Sequence, residues 1–142
     1  MSRIKKDSAI MLAGGLLYGG LELLWRRRTH WSMIITGGLC VLLLYRTFDK
    51  FKGLTLLIKC IIGSAIITSI EFTVGCIVNL WLKLDVWDYS RLHFNLLGQI
   101  CPLYSLFWGL LSIPVALLCK NKSNLKNQIQ KILPKSIDNT LN

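Results

Sequence analysis

The stretch Trp25–Ser32, WRRRTHWS, places three arginines, a threonine and a histidine between two tryptophans. A long apolar segment lies on each side of it, residues 8–25 before and residues 31–48 after. A single charged side chain at the centre of a bilayer costs roughly 3 kcal/mol by insertion scales, so this block cannot lie inside lipid. The stretch therefore predicts two membrane helices joined by a polar turn.

Two further long apolar segments lie at residues 54–82 and 100–119. A helix needs about 20 predominantly apolar residues to cross a bilayer, and all four segments are close to or above that length. The chain is 53% hydrophobic and 17% charged, which is less charged than a typical soluble domain. We therefore predict an all-α fold, a polytopic integral membrane protein built as a bundle of four transmembrane helices with a basic C-terminal tail.

The predicted domain organisation has two parts. Residues 1–119 form the transmembrane domain, and residues 120–142 form a polar, basic cytoplasmic tail that lies either on an anionic leaflet or in solvent. Within the first part, residues 83–99 are rich in charged and aromatic side chains. This composition predicts an interfacial loop or short surface helix that carries its Trp and Tyr at headgroup depth.

The distribution of basic residues predicts the orientation. With four spans both termini lie on one side, together with most lysines, and the positive-inside rule favours the cytoplasm for that side. The three arginines of Trp25–Ser32 then lie on the outer side, against the rule. We expect them to have another use, for example pairing with nearby carboxylates, namely Glu22, Glu71, Asp85 and Asp88.

Helical spacing predicts which faces pack. Gly15 and Gly19 form a GxxxG step, which suits close packing within the chain or in a homo-oligomer, and Glu22 continues the same face. The third segment carries a polar stripe at helical spacing, made of Thr68, Glu71, Gly75 and Asn79. Lys59 lies close enough to a helix end for its amine to reach the interface.

The predicted topology collects the polar side chains of the helix ends on the outer face. Ionisable groups within membrane spans are candidates for function, and guanidinium groups suit a phosphate, carboxylate or headgroup anion. The candidate ligand-binding residues are Glu22, Arg26, Arg28, His30, Glu71, Asn79, Asp88, Tyr89, Asn95 and Gln99. The alternative is a purely structural network, in which Glu22 and Arg26 neutralise each other and the amides hold helices together.

The sequence contains no signature motif for several kinds of chemistry. There is no GxxxxGK[ST] motif, so the chain is not itself a P-loop ATPase. A metal site using His30 with Asp88 has no HxxxH or HExxH spacing, and a hydrolase using His30, Ser32 or Ser90 has no nucleophile elbow. The cations flank apolar runs, which indicates lipid contact and not nucleic acid. We therefore expect no catalytic residues, no metal and no cofactor.

Two sets of residues resemble a known family. The first is Trp87-Asp88-Tyr89-Ser90, Asn95, Gly98-Gln99-Ile100-Cys101 and Trp108-Gly109; the second includes Thr29-His30-Trp31-Ser32-Met33, Glu71-Phe72 and Asn79. Both are similar to small bacterial membrane proteins classed as ABC-transporter type IV or ABC transporter permeases, in a subgroup common in low-GC Gram-positive bacteria. After the first helix the wider family has an NRG…PIYG stretch, where this chain has Arg28-Thr29-His30-Trp31.

The resemblance implies a multi-pass protein of the bacterial cytoplasmic membrane that acts in transport as a permease-like subunit. A permease has no nucleotide site of its own, so the partners it implies are the lipid bilayer, a separate ATPase subunit and further copies of the chain. Together with the polar outer face, this predicts a transport protein with an anion-accepting site. The alternatives are a holin-like pore-forming protein and a membrane enzyme acting on lipid headgroups.

Overall fold

The computed structural model describes residues 2–132, and these residues form four long helices. The helices are α1 (Arg3–Arg26), α2 (Trp31–Lys50), α3 (Leu56–Gly75) and α4 (Pro102–Ile132), and α3 continues without a break into a π-helical turn, Cys76–Trp81. Within residues 2–132 there is no β-strand, and an isolated bridge joins Leu96 and Ile100. All four helices are long and apolar enough to cross a membrane. The predicted all-α, polytopic four-helix architecture is confirmed.

Side chains just before three of the helices fix where they begin. Ser2 accepts a hydrogen bond from the Lys5 amide, and Thr55 accepts one from the Ile58 amide. His30 caps α2 through its ring Nδ1, which accepts from the amide of Ser32. These caps satisfy amide groups that have no partner inside the helix. The polar block between α1 and α2 is therefore also the start signal of α2.

Glycines bring α1 and α2 into close antiparallel contact. A Cβ at Gly15 would lie 2.5 Å from the carbonyl oxygen of Ile34, and a Cβ at Gly38 would overlap the carbonyl oxygen of Met11. Small residues allow helix backbones in membranes to approach in this way. The GxxxG step of α1 is thus used inside the chain.

Small polar residues join α3 to α4. Ser64 donates its hydroxyl to the carbonyl of Ser105 at 2.6 Å, and the hydroxyls of Thr68 and Ser105 are 2.9 Å apart. Gly63 lies directly against Ser112, which is fully buried. Helix pairs in lipid gain little from hydrophobic burial, so such close contacts and hydrogen bonds hold them together.

The up-and-down order of the helices defines two ends of the bundle. One end, called here the loop face, holds the end of α1, the start of α2, the π-helical turn, residues 82–101 and the start of α4. The other end, the terminal face, holds the start of α1, the end of α2, the start of α3 and the second half of α4. A buried cluster made of Leu44, Phe48, Ala116 and Cys119 lies towards the terminal face.

The segment between α3 and α4 differs from the expectation in its contacts. Residues 82–101 form no helix, and Trp87 is 2% exposed instead of lying at the lipid surface. Its indole N–H donates to the carbonyl of Gln99 at 3.0 Å, so the segment folds back on itself over the bundle.

The fourth helix runs past the predicted end of the span. It continues from Cys119 through Lys120 to Ile132, so the first part of the expected tail is a helical extension of α4. Residues 133–142, the rest of that tail, lie outside the described residues.

Candidate functional site

A buried carboxylate at the end of α1 ties that helix to two other segments. Glu22 is 6% exposed and accepts from Arg26 at 3.0 Å and from the hydroxyl of Thr29 at 2.8 Å. The second nitrogen of the Arg26 guanidinium donates to the carbonyl of Val86 at 2.9 Å. The predicted pairing of Glu22 with Arg26 is present, and it also anchors residues 82–101.

A second buried carboxylate lies in α3 and is held by neutral donors. Glu71 is 4% exposed; one oxygen accepts from the Tyr89 hydroxyl at 2.8 Å and the other from the Trp108 indole N–H at 2.7 Å. Among residues 2–132, no cation forms an ion pair with it. Burial raises the pKa of Tyr89, and the adjacent Glu71 raises it further, so the phenol stays protonated and serves as a donor.

A third set of buried polar groups fixes the path of the chain after the π-helical turn. The amide of Asn79 donates to the side-chain oxygen of Gln99 at 2.8 Å and accepts from the Val86 amide at 2.7 Å. Gly75 allows this arrangement, because a Cβ there would lie 2.6 Å from the same Gln99 oxygen. Asn79 lies within the π-helical turn and contacts residues 82–101.

Asp88 and Asn95 shape a local turn of the same segment. Asp88 accepts from the amide and the hydroxyl of Ser90, at 2.8 and 2.9 Å, and these hydrogen bonds hold the pKa of its carboxyl below the usual range. Asn95 donates to the Leu92 carbonyl at 2.8 Å and accepts from the Gly98 amide at 3.0 Å. Gly98 has a φ of +69°, which a side chain would strain.

A small pocket of about 150 Å³ opens on the loop face beside Glu22 and Arg26. Its other polar walls include Arg28, His30 and Asp85. In the described part of the chain, Arg28 takes part in no hydrogen bond or ion pair. The Nδ1 of His30 lies 2.7 Å from the Ser32 hydroxyl, which leaves Nε2 for another partner.

A larger cleft separates α1 from α4. It consists of two cavities of about 300 and 500 Å³ that share Tyr18, Leu21, Trp108 and Leu111 as walls. The smaller cavity reaches Glu22 and Arg26 at the loop face, and the larger one includes Glu71. Aromatic rings line the junction, with Tyr104 stacked on Tyr89 at a centroid distance of 4.4 Å. The cleft thus runs from a polar end into an apolar interior.

The structure distributes the ten predicted site residues over several small groups. Glu22, Arg26, Arg28 and His30 line one pocket, Glu71 pairs with Tyr89, and Asn79 pairs with Gln99. Asp88 and Asn95 bond within the loop and line neither the loop-face pocket nor the two cavities of the cleft. Of the three arginines in Trp25–Ser32, only Arg26 forms the expected ion pair with a carboxylate, Glu22, within residues 2–132.

The ten candidate residues leave out three residues that the structure places at these groups. Trp108 donates to Glu71, Tyr104 stacks on Tyr89, and Thr29 donates to Glu22. The family pattern includes Trp108-Gly109, but it contains no sign that the indole meets a carboxylate 37 positions earlier. Within residues 2–132, no group of three His, Cys, Asp or Glu side chains is arranged to hold a metal ion.

Comparison with known proteins gives one match. Residues 10–141 match the family described as "Putative ABC-transporter type IV". The chain belongs to this family. No curated protein and no solved structure shows a significant similarity. Membership of the ABC-transporter type IV family, together with four membrane-spanning helices, makes this a membrane protein related to transport and confirms the suspected resemblance.

Proposed function

We propose that the chain is a permease-like subunit whose loop face carries an anion-accepting site. The observation that carries this proposal is the 150 Å³ pocket whose walls hold Arg26, Arg28 and His30 beside Glu22 and Asp85. Glu22 is paired with Arg26, whereas Arg28 has no carboxylate partner in the described residues. Guanidinium groups bind phosphate and carboxylate through two parallel hydrogen bonds. In the proposal Arg28 and the Nε2 of His30 contact the anion.

The remaining predicted site residues have a supporting part in this proposal. Glu22 fixes the position of Arg26, and Glu71 with Tyr89 joins α3 to residues 82–101. Asn79 and Gln99 hold the same segment over the pocket, since Val86 both bonds to Asn79 and lines the pocket wall. Asp88 and Asn95 shape its outer turn.

The matched comparison of two arginines tests the site. Arg28→Gln and Arg91→Gln remove the same charge from the loop face, but Arg91 is an exposed residue that does not line the pocket. Purified protein in neutral detergent is titrated with sodium phosphate and with sodium succinate, against sodium chloride at equal ionic strength, and followed by thermal unfolding. We expect one of the two anions to raise the melting temperature of the wild type and of Arg91→Gln.

Arg28→Gln should then bind that anion about tenfold more weakly, because a charge-assisted hydrogen-bond pair is lost. His30→Gln should weaken binding of the anion to a lesser degree. An equal loss in Arg28→Gln and Arg91→Gln would show general charge screening and refute the site. The absence of any shift with either anion in the wild type would refute it as well.

We further propose the bacterial cytoplasmic membrane as the location, with both termini in the cytoplasm and the loop face outside. Lysines and arginines concentrate at the terminal face, and the positive-inside rule then assigns that face to the cytoplasm. Fusion of a fluorescent protein or of alkaline phosphatase to the C-terminus tests this. Fluorescence without phosphatase activity is expected, and the reverse result contradicts the topology.

The partners in this proposal are the bilayer, a separate ATPase subunit and possible further copies of the chain. One chain of four helices is small for a conduit, so a permease built from it needs assembly. Tagged protein is purified from its own membranes in mild detergent, and co-purifying proteins are identified by mass spectrometry. A P-loop ATPase in fixed proportion supports a transporter subunit, whereas purification of the chain alone contradicts it.

A further inference from the structure

A lysine is buried at the opposite end of the bundle from the proposed anion site. Lys59, in the first turns of α3, is 6% exposed, although its position near a helix end suggested an amine at the interface. Its ammonium donates to the carbonyl of Lys52 at a long 3.4 Å and lies 6.0 Å from the centroid of the Phe48 ring. No carboxylate in residues 2–132 lies within ion-pair distance of it.

Such an arrangement leaves the charge of Lys59 poorly compensated. A buried ammonium forms up to three hydrogen bonds, and here one long bond to a neutral carbonyl is present. Buried charges in proteins are normally paired, because removing an ion from water is costly. Asp49, the nearby carboxylate of the terminal face, contacts Lys52 at 3.8 Å and Lys122 at 3.6 Å instead.

Lys59 forms part of the wall of a pocket of about 380 Å³. The end of α2, the start of α3 and the second half of α4 enclose this pocket, and two more lysines, Lys52 and Lys120, line it. Ser123 and Asn124 add polar groups from α4, whereas Phe48 and Leu117 make part of the wall apolar. Three cations therefore surround one space, and no Asp or Glu lies among the lining residues.

The start of α3 adds a further electropositive element. Thr55 and Leu56 line the pocket, and Thr55 is the N-cap residue of this helix. The Thr55 side chain already accepts from the Ile58 amide, and the positive end of the helix dipole at this helix start still favours a phosphate group. Lysine is a common partner of phosphate because its ammonium is a compact charge with three donors.

We infer that this pocket, called here the Lys59 pocket, is a second anion site that binds a phosphate group at the terminal face. The buried Lys59 provides the fixed charge, and Lys52, from the turn between α2 and α3, and Lys120, from α4, contact the ligand. The phosphate belongs either to the headgroup of an anionic phospholipid or to a free phosphate ion. The site is separate from the loop-face pocket and shares no residue with it.

Binding of two probes to the purified full chain in dodecyl maltoside distinguishes these sources. The probes are dioctanoyl phosphatidylglycerol and inorganic phosphate, with dioctanoyl phosphatidylcholine as the zwitterionic control, and native mass spectrometry and thermal unfolding report binding. Binding of phosphatidylglycerol alone identifies a lipid site, and binding of both anionic probes identifies a phosphate site. Absence of binding by both, or equal binding of phosphatidylcholine, overturns the inference.

Matched variants locate the binding. Lys59→Gln should weaken binding of the anionic probe by at least about tenfold, and Lys59→Arg should retain most of the affinity. Lys120→Gln tests the same pocket at an exposed position, with an expected loss of affinity of a few fold. Lys126→Gln removes the same charge from α4 outside the pocket and should change nothing. A loss in Lys126→Gln equal to that in Lys120→Gln and Lys59→Gln would refute the assignment.

Discussion

The hydrogen bond between Trp108 and Glu71 connects α4 to a buried carboxylate, so its removal measures what this group contributes to the bundle. Trp108→Phe keeps an aromatic ring and removes the N–H that lies 2.7 Å from Glu71. Hydrogen bonds to charged groups contribute about 1.5–3 kcal/mol in soluble proteins, whereas hydrogen bonds between membrane helices average about 0.6 kcal/mol. Because Glu71 is 4% exposed and has no cation partner in residues 2–132, we expect a coupling of about 1–2 kcal/mol.

A double-mutant cycle isolates that coupling from the lost volume of the indole. Trp108→Phe, Glu71→Leu and the double variant are unfolded reversibly in mixed micelles of dodecyl maltoside and sodium dodecyl sulfate. Trp81→Phe serves as the matched control, since Trp81 is 77% exposed at the end of the same helix as Glu71. The double variant should regain 1–2 kcal/mol relative to the sum of the single changes. A coupling below about 0.5 kcal/mol, or one equal to that of Trp81→Phe with Glu71→Leu, would refute the reasoning.

Three further predictions follow from other contacts. Gly38→Ala places a Cβ against a carbonyl oxygen of α1 and should destabilise the protein by about 1–3 kcal/mol. Gly20→Ala is the control, because a Cβ there has nothing within 4 Å, and it should be neutral or stabilising by up to about 1 kcal/mol. Unfolding in detergent compares the two variants. Asn79→Ala leaves two buried groups unpaired, at a cost of about 1–3 kcal/mol, and should speed hydrogen exchange in residues 82–101; unchanged exchange would contradict it. Asp88 has a lowered pKa in the folded protein, so its contribution is present above the usual value of 3.8 and disappears as pH falls through the lowered one. Asp88→Asn should therefore reduce the acid-induced loosening of its turn, as measured by hydrogen exchange at Ser90.

The lengths of the apolar segments and the positions of the charged residues were sufficient to predict four helices in this chain. A membrane-spanning helix must be about 20 residues long and largely free of charges. The apolar segments 31–48 and 54–82 overlap α2 and α3 with its π-helical turn, which cover residues 31–50 and 56–81. The ends of α1 and α4 were not predictable in the same way. Arginine, lysine and glutamine are good helix formers although hydropathy assigns them to water. Therefore α1 begins already at Arg3, and α4 continues to Ile132.

The candidate site was predictable where its partners lie close in sequence or on one helix face. Glu22 and Arg26 are four positions apart on one helix. The spacing predicted that the polar residues of α3 share one face, and the structure shows that this face contacts α4 and residues 82–101. The bond from Trp108 depends on how α3 and α4 are paired along their lengths, and no local pattern records that. Trp87 was expected in the headgroup layer because an aromatic residue in an interfacial segment usually lies there, yet its N–H has a partner inside the protein.

The buried ionisable groups at the two ends of the bundle differ in whether the protein itself provides their partners. This difference distinguishes groups that stabilise the fold from groups proposed to bind a ligand. At the loop face the buried ionisable groups are the carboxylates Glu22 and Glu71, and both accept hydrogen bonds from donors of the protein itself. Their loss should therefore reduce folding stability before it affects any ligand. At the terminal face the buried charge is Lys59, whose counter-charge is absent from residues 2–132. An anionic ligand that pairs with Lys59 should stabilise the protein. The melting temperature of Lys59→Gln should therefore be lower than that of the wild type only when the anionic probe is present.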